Sequence, residues 1–106
     1  MTHRLLIVED EPNYRAVLRM MLGGLDVELR EAADGQQALA LLEQHDADLI
    51  VTDVNMPVLG GLELLRELRA RGDHTPVVVM TAYSSVESAV EAMRAGAIDY
   101  LQKPFD

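Results

Sequence analysis

The chain contains no cysteine and no tryptophan, and it has a single lysine among its 106 residues. The lack of cysteine excludes a disulfide framework and a thiolate zinc site, and the three histidines are too far apart to form a local metal-ligand motif. No apolar run approaches the roughly 20 residues of a membrane span, and the N-terminus lacks the apolar segment of a signal peptide. We therefore expect a soluble, cytoplasmic protein with no membrane partner.

Basic residues are scarce, since nine lysines and arginines stand against 18 aspartates and glutamates and the formal net charge is −9. The eight arginines are scattered along the chain rather than gathered into a basic patch. A surplus of negative charge repels the phosphates of nucleic acids and anionic lipid headgroups. Direct binding to nucleic acid is therefore not expected.

Aromatic residues make up only 4% of the chain, whereas 49% of the residues are hydrophobic, so aliphatic side chains must build the core. The length suits one domain, and no repeat or low-complexity linker divides the sequence. We interpret residues 1–106 as a single domain.

Three continuous apolar segments are typical of strands that are buried on both faces of a parallel sheet. Each ends at a polar residue: residues 5–8 before Glu9, residues 48–53 with Asp53, and residues 76–80 before Thr81. Alternation over residues 27–30 predicts a half-exposed edge strand, and residues 98–102 predict a last short strand.

Four segments between these strands have helical periodicity. The first begins at Pro12, stops at the Gly23-Gly24 pair, and places its apolar residues on one face: Tyr14, Val17, Leu18, Met21 and Leu22. The second follows Gly35, and the third lies between a Pro/Gly loop and Gly72. The fourth is predicted to begin with a capping box at residues 84–87, to end at Gly96, and to place Val86, Ala89, Val90 and Met93 on one face.

Strands that alternate with helices at short spacing imply βαβ units, hence a doubly wound α/β domain with helices on both faces of a parallel sheet. An antiparallel α+β domain remains the alternative. In an open α/β sheet the ligand site lies beyond the carboxyl ends of the strands. The residues expected there are Glu9, Asp10, Asp53, Thr81 and the single lysine, Lys103.

Three carboxylates about 5 Å apart would repel one another by about 3 kcal/mol per pair at an effective dielectric constant near 20. A cation or a raised pKa would relieve this repulsion. With only oxygen ligands available Mg²⁺ is the fitting ion, with Mn²⁺ as a substitute. A carboxylate between such a cation and an ammonium group can attack a phosphoryl group and form an aspartyl phosphate. This hypothesis rests on the joint placement of these residues at the strand ends. Asp53 by itself is common at a strand end, and Lys103 by itself is common on an exposed surface.

Several motifs together resemble the receiver domain of two-component response regulators, over the whole chain. The motifs occupy residues 5–11 (LLIVEDE), 53–57 (DVNMP), 60–62 (GGL), 79–82 (VMTA) and 100–105 (YLQKPF). The resemblance implies a flavodoxin-like sheet with strand order 2-1-3-4-5. It also implies a signalling switch, which catalyses only its own phosphorylation and dephosphorylation and is not otherwise an enzyme.

The resemblance assigns roles to individual residues. It implies that Asp53 accepts a phosphoryl group from the phosphohistidine of a sensor histidine kinase, that Lys103 contacts this group, and that Glu9, Asp10, Asp53 and the backbone carbonyl of Asn55 hold Mg²⁺. Ala82 and Val54 would lie beside the phosphate. Thr81 and Tyr100 would act as the switch, which changes the surface of the fourth helix and fifth strand.

The sequence departs from the family pattern in two ways. Glu9 stands where most members have aspartate, which leaves its direct contact with the metal open. The chain stops at Asp106, where members continue into a fifth helix, so we expect a receiver truncated before its last helix, with an exposed apolar patch beside strands 1, 3 and 5. Lower stability or self-association as a homodimer would follow. The resemblance also implies a cis peptide between Lys103 and Pro104.

The segments 80–90 and 100–106 resemble receivers of nitrogen-regulatory-type transcription activators, in which an ATPase and a DNA-binding domain follow the receiver. We therefore expect a downstream output domain of this kind, outside residues 1–106. Two other functions compete with the switch. A Mg²⁺-dependent phosphohydrolase using Asp53 would be expected to carry a D-x-D motif, which the run at Glu9 lacks, and a docking module without phosphorylation would be expected to lack Asp53, Thr81 or Lys103.

Overall fold

A computed structural model describes residues 2–83 and 85–103. It contains five parallel strands, which lie in the order β2-β1-β3-β4-β5, and four helices between them. The strands are β1 (His3–Val8), β2 (Val27–Ala32), β3 (Leu49–Asp53), β4 (Val77–Thr81) and β5 (Asp99–Gln102), and the helices are α1 (Pro12–Leu22), α2 (Gly35–Gln44), α3 (Gly61–Ala70) and α4 (Val86–Ala95). The flavodoxin-like strand order implied by the sequence is confirmed.

The two faces of the sheet are covered unequally by the described helices. On one face α2, α3 and α4 enclose the larger core, in which Ile50, Leu65 and Val79 are fully buried. On the other face α1 packs alone, and the buried cluster there consists of Ile7, Leu18 and Met80. The partly buried side chains of Val51 and Leu101 border this second cluster, on the side where the sequence predicted exposed apolar surface. Helices on both faces make the fold doubly wound.

The fourth helix begins one residue later than its predicted capping box. Its N-cap is Ser85, whose hydroxyl oxygen accepts a hydrogen bond from the backbone N–H of Ser88 at 3.1 Å. The Ser88 side chain in turn accepts from the backbone N–H of Ser85 at 3.2 Å. A serine therefore completes the reciprocal pair where the sequence suggested Glu87.

The same helix buries its small side chains rather than its large ones. Ala92 is fully buried, whereas Val86 is 81% exposed and Met93 is 49% exposed. Small residues allow the helix to approach α3 and the sheet closely, which turns the predicted apolar face outward. The helix ends as predicted at Gly96, whose left-handed φ of 107° favours glycine.

In the described residues, no helix combines the length and the hydropathy that crossing a membrane requires.

Candidate functional site

Backbone hydrogen bonds just beyond the strand ends hold the polar residues there in place. The N–H of Glu9 donates to the carbonyl of Ala32 at 3.0 Å, just past the end of β1. The N–H of Lys103 donates to the carbonyl of Thr81 at 2.8 Å, just past the end of β5. Asp53 is the last residue of β3 itself. These residues therefore start from rigid backbone, and their side chains converge at one edge of the sheet.

Gly61 lets α3 begin directly against the backbone of Asp53. A Cβ atom at this position would lie 2.0 Å from the Asp53 carbonyl oxygen, which no side chain tolerates. The N–H of Gly61 donates to the carbonyl of Val54 at 3.0 Å, and the Glu63 side chain accepts from the N–H of Gly60 at 2.8 Å. The loop after β3 is thus tied to the first turn of α3, and this holds Asp53 in place.

A single ammonium group lies between two carboxylates at the centre of the site. The Nζ atom of Lys103 lies 2.5 Å from Oε1 of Glu9 and 3.2 Å from Oδ2 of Asp53. The three side chains are nearly buried, with exposures of 11% for Lys103, 1% for Glu9 and 10% for Asp53. Because water screens such buried charges poorly, the arrangement of these groups governs their protonation.

Burial raises the pKa of Glu9 to about 7, from an ordinary value of 4.5. The hydrogen bond from Lys103 lowers this pKa, but the neighbouring Asp53 carboxylate raises it again. Burial by itself would lower the pKa of Lys103, yet its hydrogen bond to Glu9 and the charges of both carboxylates raise it above its ordinary value. Lys103 thus keeps its positive charge, whereas the charged form of Glu9 is disfavoured.

Three carboxylates lie close enough together to hold a metal ion. Glu9, Asp10 and Asp53 each offer an oxygen atom, and these atoms lie within 4.8 Å of one another. The second carboxylate oxygen of Glu9, Oε2, is buried and has no hydrogen-bond partner among the described residues. A buried oxygen without a partner is costly in a metal-free site, and a hard cation would satisfy it. The donor set therefore fits Mg²⁺.

These residues open into a cavity of about 460 Å³. Of the residues predicted for the site, the lining includes Glu9, Asp10, Asp53, Asn55, Ala82 and Lys103. Asp10 is exposed at this cavity, whereas Glu9 lies deeper. Val54 borders an adjacent cavity, which Asp10 and Asn55 also line. A small anion can therefore reach Asp53 from solvent.

Comparison with known proteins agrees with this geometry. A family model described as the response regulator receiver domain matches residues 5–106. This chain belongs to the response regulator receiver domain family. Its site is built at the carboxyl ends of the strands, where the sequence placed it.

The regulatory protein AtoC of Escherichia coli K12 is 43% identical over 104 residues, which cover 98% of this chain and 23% of AtoC. The transcriptional regulatory protein ZraR of the same strain is 41% identical over 109 residues, which cover 100% of this chain and 25% of ZraR. The receiver thus spans about a quarter of these relatives. Both matches are consistent with the resemblance to nitrogen-regulatory-type receivers.

Among solved structures, the receiver domain of Francisella response regulator 1452 superimposes with a TM-score of 0.94 at 32% identity. The superposition covers 99% of this chain and 87% of that one. The receiver fold is therefore shared along almost the whole chain.

The two residues predicted to form the switch lie outside the lining of the receiver's cavity. Thr81 is 2% exposed, and its hydroxyl oxygen accepts a hydrogen bond from the N–H of Tyr83 at 3.0 Å. Tyr100 is half-buried on β5, and its hydroxyl lies 2.6 Å from the hydroxyl of Ser88 in the first turn of α4. The Tyr100 hydroxyl is thus bonded within the protein, which the sequence could not specify.

Two residues of α1 contact the site although the sequence assigned them no role. A guanidinium nitrogen of Arg15 donates to the carbonyl of Glu9 at 2.7 Å, and the ring of Tyr14 lies under the ammonium of Lys103, 4.1 Å from it. The sequence held one signal for them, since both lie near the start of α1, the helix that follows the end of β1. The cis peptide expected at Lys103 and Pro104 lies outside the described residues.

Proposed function

We propose that this receiver is a phosphorylation-activated switch, in which Asp53 accepts the phosphoryl group of a histidine kinase's phosphohistidine. The observation that carries the proposal is the position of the Asp53 carboxylate, 3.2 Å from the Lys103 ammonium and within 4.8 Å of the oxygens of Glu9 and Asp10. A carboxylate set between a cation-binding cluster and an ammonium is arranged for phosphoryl transfer.

In the proposed reaction an oxygen of Asp53 attacks phosphorus, the P–N bond of the donor breaks, and the imidazole leaves with the bonding pair and takes up a proton. Glu9 and Asp10, together with Asp53 and the backbone carbonyl of Asn55, would hold Mg²⁺. The ion, when bound, neutralises charge on the transferring oxygens. Lys103 would contact a phosphoryl oxygen from its present position.

Other residues would shape the space for the phosphoryl group. Ala82 lines the cavity and carries only a methyl group, which leaves room beside Asp53. Val54, which follows Asp53 directly, would border the group from the adjacent cavity. Thr81, at the end of β4, would present its hydroxyl to the phosphoryl oxygens after giving up the hydrogen bond from Tyr83.

The output of the switch would be the surface of α4 and β5. The Tyr100 hydroxyl is bonded to Ser88, and Ser88 is one half of the reciprocal cap at the start of α4. A movement of Tyr100 would therefore remove a partner from this cap and loosen the first turn of the helix. This contact gives a physical route from the phosphoryl group to the surface.

The kinase, the output domain and the location belong to the same proposal. A sensor histidine kinase would supply the phosphoryl group, and the similarity to a protein named as a transcriptional regulatory protein supports an output in transcription. The expected homodimer and the cytoplasmic location stay predictions. As a catalyst the chain would act only on its own phosphorylation and dephosphorylation.

Incubation with acetyl phosphate and Mg²⁺, followed by intact-mass measurement, tests the proposal. We expect one phosphoryl group per chain, none in Asp53→Asn, and normal labelling in the control Asp46→Asn, which changes an exposed aspartate far from the cavity. Rapid turnover of small phosphate esters would indicate the phosphohydrolase instead. An unlabelled chain would leave only a docking module.

A further inference from the structure

The ring of Tyr14 faces the one lysine of the chain. The Lys103 ammonium lies 4.1 Å from the centroid of the Tyr14 ring, in addition to its contacts with Glu9 and Asp53. An aromatic face attracts a cation through its quadrupole, and the attraction grows as water is removed from the pair. With the Lys103 side chain only 11% exposed, little water competes for its charge.

The ring is anchored by the packing of α1. Tyr14 is the third residue of this helix, and it packs against the buried cluster of Ile7, Leu18 and Met80. Ile7 and Met80 belong to the strands β1 and β4, so the ring is fixed to the sheet as well as to its own helix. The ring is thus a rigid support on which the flexible lysine side chain can be oriented.

We propose that Tyr14 is a positioning residue that holds the Lys103 ammonium beside Asp53 through its ring face. The inference rests on the proposed function. When Asp53 forms its bond to phosphorus, one of its oxygens is no longer a free carboxylate oxygen, and when Glu9 binds a metal its oxygens are engaged elsewhere. The reaction can therefore change both carboxylate contacts of the lysine, whereas it does not involve the Tyr14 ring.

Substitution of Tyr14 separates the ring from the hydroxyl. Tyr14→Phe keeps an aromatic face and is expected to be labelled by acetyl phosphate at close to the wild-type rate. Tyr14→Leu fills much of the space without a π-face, and we expect labelling about three- to tenfold slower. Met20→Leu is the matched control, because Met20 lies on the same helix, is 82% exposed, and should leave the rate unchanged.

The single lysine permits a second readout that needs no phosphorylation. Protein grown with ¹³C-labelled lysine has one lysine side chain to observe, that of Lys103. The Tyr14 ring current should shift its terminal methylene protons upfield in the wild type and in Tyr14→Phe, and this shift should disappear in Tyr14→Leu. This pattern would show that the ring faces the ammonium in solution, and the labelling rates of the same variants then show whether this contact matters for the reaction.

The outcomes are distinct. Normal labelling of Tyr14→Leu, or lysine resonances that do not differ between this variant and the wild type, would overturn the positioning role alone. Absence of labelling in every variant, the wild type included, would overturn the proposed function and the positioning role with it. If the dispersion of amide resonances shows that Tyr14→Leu does not fold, Tyr14→Met removes the ring with a more flexible side chain and decides the same question.

Discussion

The interior of the sheet and its carboxyl edge are buried to a similar degree, but burial has opposite consequences in the two regions. In the interior, Ile50 and Val79 are fully buried apolar side chains, and removing them from water stabilises the fold by about 25 cal/mol per Å² of apolar surface. At the edge, Glu9 is 1% exposed, and its burial raises its pKa to about 7. Burial of this carboxylate disfavours its charged form, which is the form that a cation requires.

The difference separates the scaffold from the working part of the molecule. The interior is made of residues that any well-packed sheet could use, and it holds the strand ends in register. At the edge lie the buried Oε2 atom of Glu9, which has no hydrogen-bond partner in the described part of the chain, and the ammonium of Lys103, which Glu9 and Asp53 share. Features that reduce stability in this way collect at functional sites, because they are retained for chemistry rather than for folding.

The largest effect is expected in the interior. Leu65 is fully buried in the core between the sheet and α3, so Leu65→Ala should lower the free energy of unfolding by about 2 to 5 kcal/mol through lost burial and the cavity left behind. Urea unfolding followed by circular dichroism measures this. A loss below about 1 kcal/mol would mean that this face is not tightly packed. The interior would then not differ from the edge in the way described.

At the edge, removing a buried side chain's charge should raise the free energy of unfolding rather than lower it. Because the pKa of Glu9 is higher in the folded state than its ordinary 4.5, the folded state binds the proton more tightly, and the stability from Glu9 is complete below pH 4.5 and is lost as the pH rises through about 7. Glu9→Gln should therefore raise the unfolding free energy of the metal-free protein at pH 8 by about 1 to 3 kcal/mol.

As controls, the unfolding free energies of the wild type and Glu9→Gln are measured at pH 5 without metal and at pH 8 with Mg²⁺. At pH 5 the wild type and Glu9→Gln should differ little, because Glu9 is then mostly protonated. Mg²⁺ should stabilise the wild type more than the variant at pH 8. A wild type whose stability does not fall between pH 5 and pH 8 would contradict the account.

The sequence was sufficient to predict most of the fold and several of the residues that meet at the carboxyl edge of the sheet. Apolar strand runs and glycine stops are local patterns that predicted the alternation of strands and helices, and the structure confirms the strand order that the resemblance to receiver domains implied. The strand ends then place Glu9, Asp53 and Lys103 together, because all parallel strands end at one edge. Local periodicity and one topological rule predicted this meeting of residues, whereas the strand order required the resemblance to receiver domains.

What the sequence could not predict depends on contacts between distant segments. Nothing in the acidic run distinguishes the buried Glu9 from the exposed Asp10 beside it. The contact between Tyr14 and Lys103 joins opposite ends of the chain, and the orientation of α4 depends on how closely small residues such as Ala92 approach their neighbours. Such features require the packed structure.

A smaller effect is expected in the loop that joins the edge to α3. Val58 has a φ of 69°, which is strained for a β-branched residue, and its side chain is 78% exposed. Val58→Asn should raise the unfolding free energy by about 0.5 to 1 kcal/mol, since asparagine tolerates this conformation. Val58→Ala keeps a Cβ atom, so its unfolding free energy should rise by less than that of Val58→Asn. An equal rise in both variants would show that backbone strain is not the cause.

The smallest effect is expected outside both regions. Arg66 and Glu91 form an ion pair between α3 and α4, and both side chains are 51% exposed. Solvent screens such a pair, so Arg66→Ala should change the unfolding free energy by at most about 0.5 kcal/mol and should not alter phosphoryl labelling. A larger loss of stability, or slower labelling, would show that this ion pair matters to the fold or to the reaction.

In the proposed switch, a phosphoryl group on Asp53 at the edge changes the surface of α4 and β5. Amide chemical shifts, mapped with Mg²⁺ before and after addition of beryllofluoride as a phosphoryl mimic, test it most directly. We expect large changes at the site and a second set at Ser88, Tyr100 and the first turn of α4, and neither set in Asp53→Asn. Changes confined to the residues that line the cavity, or the same changes in Asp53→Asn, would contradict the account.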